Sequence, residues 1–461
     1  MFSMRSVAAL LVVASLVAGC SSSSSSPPPQ TVIAISDVHF DPFYDRSLFA
    51  SLQAAPVTEW AGLFASSTIT DPGTWGGLTN YPLLQRMTAA LRTQQPRPAL
   101  VVFGGDILAQ DFASIFHFLA PTQDEAAMKA FALKTVTFVV QQIRASLGTT
   151  PVYFTLGNWD SYADSFGLLP NDPFLADTAA VLYDGFLAGA ADRVTFEPTY
   201  RAGGYYAADV PGSSLVVVGL NTIFLAPQSP SGTEAAVTQE LGWLDATLDA
   251  ARASGRPVWL VTHVPPGGDL ATTGSDVDPQ GHITQPTMML QAGPQDQLLA
   301  ILAAHRDVVT AAFTGHTHMD EYRLAAISLQ GIPGVTPLLG NSPGFKTFTI
   351  SPDTTLQDYV SWTLDLGNPS ASFQPYYTFS TAYGLAGPLA SSLTALLPQL
   401  RSVPGMQAGY RDRYGSGHAP SKPITDLNWP VYWCGIALLG PDGLTDCVNN
   451  FQESTPAPPR A

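Results

Sequence analysis

Phe313-Thr314-Gly315-His316-Thr317-His318 follows an apolar, β-branched run (Val308, Val309, Thr310) about two-thirds of the way along a chain of 461 residues. Such a run reads as a buried strand, so two imidazoles separated by one residue are delivered at a strand end. Neutral imidazole nitrogens suit a divalent metal, and His316 and His318 either share one ion or face one each. Taken alone, the stretch is equally a polar turn after a strand. Its meaning comes from the segments that repeat its form.

Working outward, the apolar run 258–261 delivers Thr262, His263, Val264, Pro265, Pro266 and Gly267. The run 152–156 ends in Gly157, Asn158, Trp159 and Asp160, and the run 99–103 enters Gly104, Gly105 and Asp106. Near the N-terminus, 31–36 (TVIAIS) is followed by Asp37, Val38 and His39, a carboxylate and an imidazole two apart that can chelate one ion from a single loop. A further strand is expected at 215–220. Helical spacing is expected over 83–91, 124–147 (stopped by Gly148), 234–254 (stopped by Gly255) and 294–305. The stretch from Phe40 to about Asn80, rich in Gly, Pro, Ser and Thr, reads as an irregular insertion. Strands alternating with helices predict an α/β layered fold. Every candidate ligand then falls just past a strand's C-terminal end, so distant segments converge on one rim.

The composition is 46% hydrophobic and 12% charged, enough for one large core with an attached subdomain. A net charge of -16 argues against a nucleic-acid polymer as partner, because such binding needs clustered Lys and Arg. Arg5 and the apolar run 7–17 read as an export segment too short for a membrane span. Its end, Leu16-Val17-Ala18-Gly19-Cys20, resembles the lipobox of bacterial lipoproteins. That resemblance implies cleavage before Cys20, lipidation of Cys20, and an exported protein anchored in the cell envelope, periplasmic or surface-facing. The serines and prolines of 21–30 read as a tether. Cys434 and Cys447 form either a disulfide or two buried thiols.

In order, Asp37-x-His39, Gly104-Gly105-Asp106, Gly157-Asn158, His263 and Gly315-His316-x-His318 resemble the signature of the calcineurin-like metallophosphoesterases. Finer features are similar to the acid sphingomyelinase-like branch: Gly105-Asp106-Ile107-x-Ala109-x-Asp111, His263-x-Pro265-Pro266-Gly267, and Thr336-Pro337 through Gly340-Asn341 to Pro343-Gly344-Phe345. The resemblance covers roughly residues 31–451. It implies a layered β-sandwich flanked by helices, with a mainly helical C-terminal subdomain. It also implies two divalent ions, Zn first with Mn or Fe as alternatives, since a nitrogen and oxygen set without thiolate suits these metals. Asp37, His39, Asp106 and His318 would hold one ion, and Asp106, Asn158, His263 and His316 the other. The implied reaction is hydrolysis of a small phosphoester by metal-bound hydroxide, with Asp106 and Asn158 at its centre.

Two departures matter. Trp159 stands where family members commonly have His, and Gln110 where the sphingomyelinase-like branch has another. Neither side chain transfers a proton at pH 7, which typically costs about 10²- to 10⁴-fold for a poor leaving group. His282 is the expected replacement, ahead of His117, and Gln110, Asp111, Trp159 and Asp160 are expected to orient ligands or touch substrate. The expected division is an export segment at 1–20, a tether at 21–30, a catalytic domain at 31–366, a helical subdomain at 367–451 and a tail at 452–461. Alternating residues over 345–366 predict antiparallel strands completing a second sheet. A phosphodiesterase is the leading expectation, acting on a small diester, a nucleotide or a phospholipid head group. A phosphomonoesterase and a metal-retaining lipoprotein with little turnover are the alternatives.

Overall fold

The strands that carry the candidate ligands are short and mostly buried, the pattern of parallel strands covered on both faces. The computed structural model describes residues 30–451 except Gln123 and Ala188. In chain order its strands are β1 (Gln30–Ile35), β2 (Leu100–Phe103), β3 (Val152–Phe154), β4 (Tyr206–Asp209), β5 (Val216–Gly219), β6 (Val258–Thr262), β7 (Val309–Thr314), β8 (Tyr322–Leu324), β9 (Ser328–Gly331), β10 (Gly344–Ile350), β11 (Leu356–Thr363) and β12 (Gln374–Thr378).

These strands form two sheets. The first has the order β12-β11-β10-β1-β2-β3, and the second β4-β5-β6-β7-β9-β8. The strands that precede the candidate ligands are parallel neighbours within each: β1 beside β2 and β2 beside β3, then β6 beside β7. Rings interlock between the sheets. Phe313 of β7 meets Phe348 of β10 edge to face at 5.4 Å, and the Tyr206 hydroxyl donates to the Phe154 carbonyl at 2.9 Å. One continuous apolar core results, a sandwich flanked by helices.

Helix boundaries follow local chemistry. The helix Glu125–Leu147 starts where the Asp124 carboxylate accepts the Ala127 N–H, and it ends at Gly148, whose φ of +61° suits glycine. The helices Tyr81–Thr93, Glu234–Ala253 and Ala292–Ala304 match the expected spacing closely.

Several expectations are corrected. The antiparallel pair β10 and β11 extends the first sheet through β1 rather than building the second. Alternation marks a strand but is silent about its partner. The same sheet continues past residue 366 into β12. The stretch before Asn80 is ordered into short helices at Phe49–Ala54 and Trp60–Ala65, because its aromatics reach the core: Trp60 and Phe64 both pack on Phe138.

The C-terminal helices are Leu389–Ser402, Pro404–Tyr414, Trp429–Gly435 and Pro441–Asn449. A disulfide between Cys434 and Cys447 joins the last two. After Tyr414 the chain returns to the sandwich, where Ser342 donates to the Gly415 carbonyl and Ser421 to the Leu339 carbonyl. The export segment, Cys20, the tether before Gln30 and the tail lie outside the described residues. Among the described residues no helix is long and apolar enough to cross a membrane.

Candidate metal centre

At the strand ends the backbone turns left-handed at the residues whose side chains matter: φ is +52° at Asp37, +42° at His39, +60° at Asp106, +71° at His316 and +60° at His318. Each such residue costs on the order of 1–3 kcal/mol unless its surroundings enforce it. Here the turns enforce one another. Asp37 donates to the Gly105 carbonyl and His39 to the Asp106 carbonyl, each at 2.9 Å, while Gly315 donates to the His263 carbonyl at 3.1 Å. Glycine is required where they meet, since a Cβ on Gly157 would stand 2.1 Å from Asp106 Oδ1.

The side chains converge in two adjoining groups. His318 Nε2 lies 3.3 Å from Asp37 Oδ1, and His39 Nε2 lies 3.3 Å from Asp106 Oδ2. His263 Nε2 approaches the same Asp106 oxygen at 3.2 Å and Asn158 Oδ1 at 3.0 Å, and His316 Nδ1 is 2.8 Å from Asn158 Oδ1. Asp37, His39 and His318 form one cluster of ligand atoms, and Asp37, Asp106 and His263 another, so Asp37 also reaches toward the second group.

Hydrogen bonds behind the site decide which lone pairs face inward. His39 Nδ1 is bonded to the Leu108 carbonyl at 3.1 Å and His263 Nδ1 to the Gly104 carbonyl at 2.7 Å. Carbonyls accept only, so both Nδ1 atoms carry a proton and both Nε2 atoms are left facing the centre, that of His39 as a lone pair. Asn158 Nδ2 donates to Ser165 Oγ at 2.9 Å, which turns Oδ1 toward the two histidines. Asp37 Oδ2 and His39 Nε2 are buried and find no hydrogen-bond partner among the described residues. Lone pairs from nitrogen and oxygen thus face one another at contact distance, an arrangement that repels unless a cation lies between them. The electrostatics agree. Burial depresses His263, but the Asp106 and Asp37 carboxylates outweigh it and raise the imidazole to about 9, so a proton there satisfies part of the same demand. Burial and the neighbouring His263 push His316 down to about 4. The donor set therefore fits divalent ions, with nitrogen and oxygen ligands and no thiolate.

The centre opens into a cavity of about 380 Å³, lined on the ligand side by His39, Asp106, Asn158, His316 and His318. Gln110 and Trp159 line it too. Asp160 is buried behind the turn, accepting the N–H groups of Asp106 and Gly157 at 2.9 Å each. Asp111 is exposed, precedes the helix Phe112–Leu119 and does not line the cavity.

His282 is not brought to the site. Its loop closes on itself, with the His282 N–H donating to Asp278 Oδ1 at 2.9 Å, and its side chain is 52% exposed. His117 pairs with Glu125 at 2.9 Å, also away from the cavity. Proximity in sequence to the motifs was a poor guide to proximity in space.

Several cavity residues carried no sequence signal. Ser165 and Phe166 fold back under Asn158, and Phe166 sits at φ +58° with its ring 5.9 Å from that of His316. Tyr414, Pro420, Ser421 and Lys422 come from the C-terminal segment. Glu321 and Arg323 did leave a trace, two charges in a strand-like run just after His318. They are a buried pair 3.2 Å apart on the cavity wall, with the Tyr414 hydroxyl donating to Glu321 at 3.1 Å.

Comparison with known proteins agrees with this geometry. Over 394 residues the chain is 25% identical to human acid sphingomyelinase-like phosphodiesterase 3b, covering 79% of this chain and 78% of that protein. It is 25% identical to human sphingomyelin phosphodiesterase over 389 residues, covering 76% of this chain and 54% of that protein. It is 22% identical to the mouse cyclic GMP-AMP phosphodiesterase SMPDL3A over 443 residues, covering 90% of each. The family model for calcineurin-like phosphoesterase matches residues 30–320, which span the turns of the candidate ligands from Asp37 to His318. The chain belongs to the calcineurin-like phosphoesterase family, whose members are metal-dependent hydrolases.

Proposed function

We propose that this protein is a dinuclear phosphodiesterase of the sphingomyelinase-like kind, with Asp37, His39, Asp106 and His318 holding one divalent ion and Asp106, Asn158, His263 and His316 the other. Zinc is the expected metal, with Mn or Fe as alternatives. The observation that carries the reading is Asp106 Oδ2, a buried oxygen 3.3 Å from His39 Nε2 and 3.2 Å from His263 Nε2. An oxygen so placed faces both halves of the centre. When bound, two such ions supply a water of lowered pKa and offset the charge on the phosphoryl oxygens.

The chain's own residues do the rest. The Leu108 and Gly104 carbonyls fix the tautomers of His39 and His263. The Trp159 N–H donates to Asp106 Oδ1 at 2.8 Å and leaves Oδ2 for the centre. Neither Gln110 nor Trp159, both on the cavity wall, transfers a proton at pH 7. Among the described residues every imidazole lining the cavity belongs to the candidate ligand set, which favours esters whose leaving group departs without strong protonation. A cavity of about 380 Å³ suits a small diester, a nucleotide or a lipid head group. Export and lipidation at Cys20 would bring this activity to the cell envelope.

Hydrolysis of bis(p-nitrophenyl) phosphate beside p-nitrophenyl phosphate tests the reading, on metal-free protein, after Zn or Mn is added, and in Asp106→Asn. Metal-dependent diester turnover lost in the variant is expected. Preference for the monoester would replace the proposal with a phosphomonoesterase.

A further inference from the structure

Away from the candidate ligands, the same cavity runs between the loop that opens the helix Leu270–Ser275 and the segment after Tyr414. Its cations among the described lining residues are Arg323 and Lys422. Arg323 is buried and committed, with Nη2 3.2 Å from Glu321 Oε1 and Nη1 donating to the Pro266 carbonyl at 2.8 Å. Lys422 is exposed and differs in every respect. Its ammonium donates one hydrogen bond, to Thr272 Oγ1 at 3.1 Å, and pairs with no carboxylate among the described residues. Asp269, on the same wall, is turned toward Thr272, one oxygen accepting the Thr272 N–H at 2.9 Å and the other the Thr272 hydroxyl at 2.6 Å, and makes no ion pair with Lys422 among the described residues. An ammonium has three donors, so two remain for a ligand.

The chain just before Lys422 is held in place. Ser421 donates to the Leu339 carbonyl at 2.7 Å, and the His418 ring is bonded to the Gly340 carbonyl and stacks on Trp75 at 4.2 Å. The segment is thereby fixed to the sandwich, and Lys422 reaches across the cavity mouth to the opposite wall. In a chain of net charge -16, an ammonium with spare donors at the mouth of the cavity selects for negative charge.

We infer that Lys422, braced by Thr272, forms a subsite for a second anionic group on the substrate, a carboxylate or a further phosphate carried on the part of the ester remote from the scissile phosphorus. This rests on the phosphodiesterase reading and narrows it to esters bearing an additional negative charge. Charge-assisted hydrogen bonds of this kind discriminate by about ten- to a hundredfold.

The test uses p-nitrophenyl phosphodiesters whose alkyl arm ends in hydroxyl, carboxylate or phosphate, at several arm lengths, with the metal-loaded enzyme. An anion-ended ester is expected to be preferred by about ten- to a hundredfold in kcat/KM, chiefly through KM, and the preference should shrink with added salt. Lys422→Ala should abolish the ratio and Lys422→Arg retain most of it. General damage to the fold lowers all the esters together and leaves the ratio alone. The better of the carboxylate and phosphate arms identifies the anion. Equal turnover of all arms by the wild type, or a preference surviving in Lys422→Ala, overturns the subsite alone. Failure to hydrolyse any arm overturns the phosphodiesterase reading, and the subsite with it.

Discussion

Asp160 grips the turn that presents Asp106: one of its oxygens accepts the Asp106 N–H at 2.9 Å, and the other accepts the Ile107 N–H at 2.8 Å. The Gly157 N–H bonds the first oxygen as well, so the turns after β2 and β3 are locked through one buried carboxylate. Asp160→Asn replaces one acceptor with an amide nitrogen that faces N–H donors. Buried donors left unpaired cost about 1–3 kcal/mol each. The variant should melt at lower temperature and bind Zn about 10- to 100-fold more weakly, as read by competition with a chromophoric chelator. Unchanged affinity would mean that Asp106 does not depend on this grip.

Ser165 plays a comparable part for Asn158. Its hydroxyl accepts from Nδ2 at 2.9 Å, and Phe166 beside it donates to the Asn158 carbonyl at 2.8 Å. In Ser165→Ala the amide loses the partner that fixes its orientation. The expected result is roughly tenfold weaker binding of one ion with the other little changed, and recovery in Ser165→Thr. Equal weakening of both sites would contradict a role specific to Asn158.

Glu240 supplies a pH dependence remote from the centre. It is buried, its Oε1 accepts the Asn221 N–H at 2.6 Å, and Oε2 has no hydrogen-bond partner among the described residues. Burial raises its pKa well above the ordinary value. The folded state then holds a proton that the unfolded chain has already released, so stability falls as pH rises above the unfolded pKa, by up to about 1.4 kcal/mol per pH unit, until the folded group ionises. Glu240→Gln keeps the acceptor and cannot ionise. Its melting temperature relative to wild type should climb from pH 4 to pH 8. A constant difference across that range would show that the residue does not titrate between the two states.

How far all this was legible in the sequence depended on the kind of signal. Asp37, Asp106 and His318 stood out because a carboxylate or imidazole directly after a buried apolar run is costly unless it has work to do there. Glycine at 105, 157 and 315 marked turns packed too tightly for a side chain. The assignment of β10 and β11 to a sheet was not legible, since periodicity reports which face is buried and not which neighbour covers it. Nor was the wall formed by Tyr414 and Lys422, because a non-periodic segment returning over the sandwich is placed by long-range hydrogen bonds such as that from Asp320 to the Tyr414 carbonyl. His282 has suitable chemistry, but its exposed loop closes on Asp278 and does not line the cavity.

Whether Asp106 is shared by two ions is tested most directly by calorimetric titration of metal-free protein with Zn, comparing wild type, Asp106→Asn, His318→Asn and His316→Asn. Two ions per chain are expected in the wild type, with both sites weakened in Asp106→Asn and one site weakened in each histidine variant. A single ion per chain, or an Asp106→Asn protein that keeps one site at full affinity, would contradict the account.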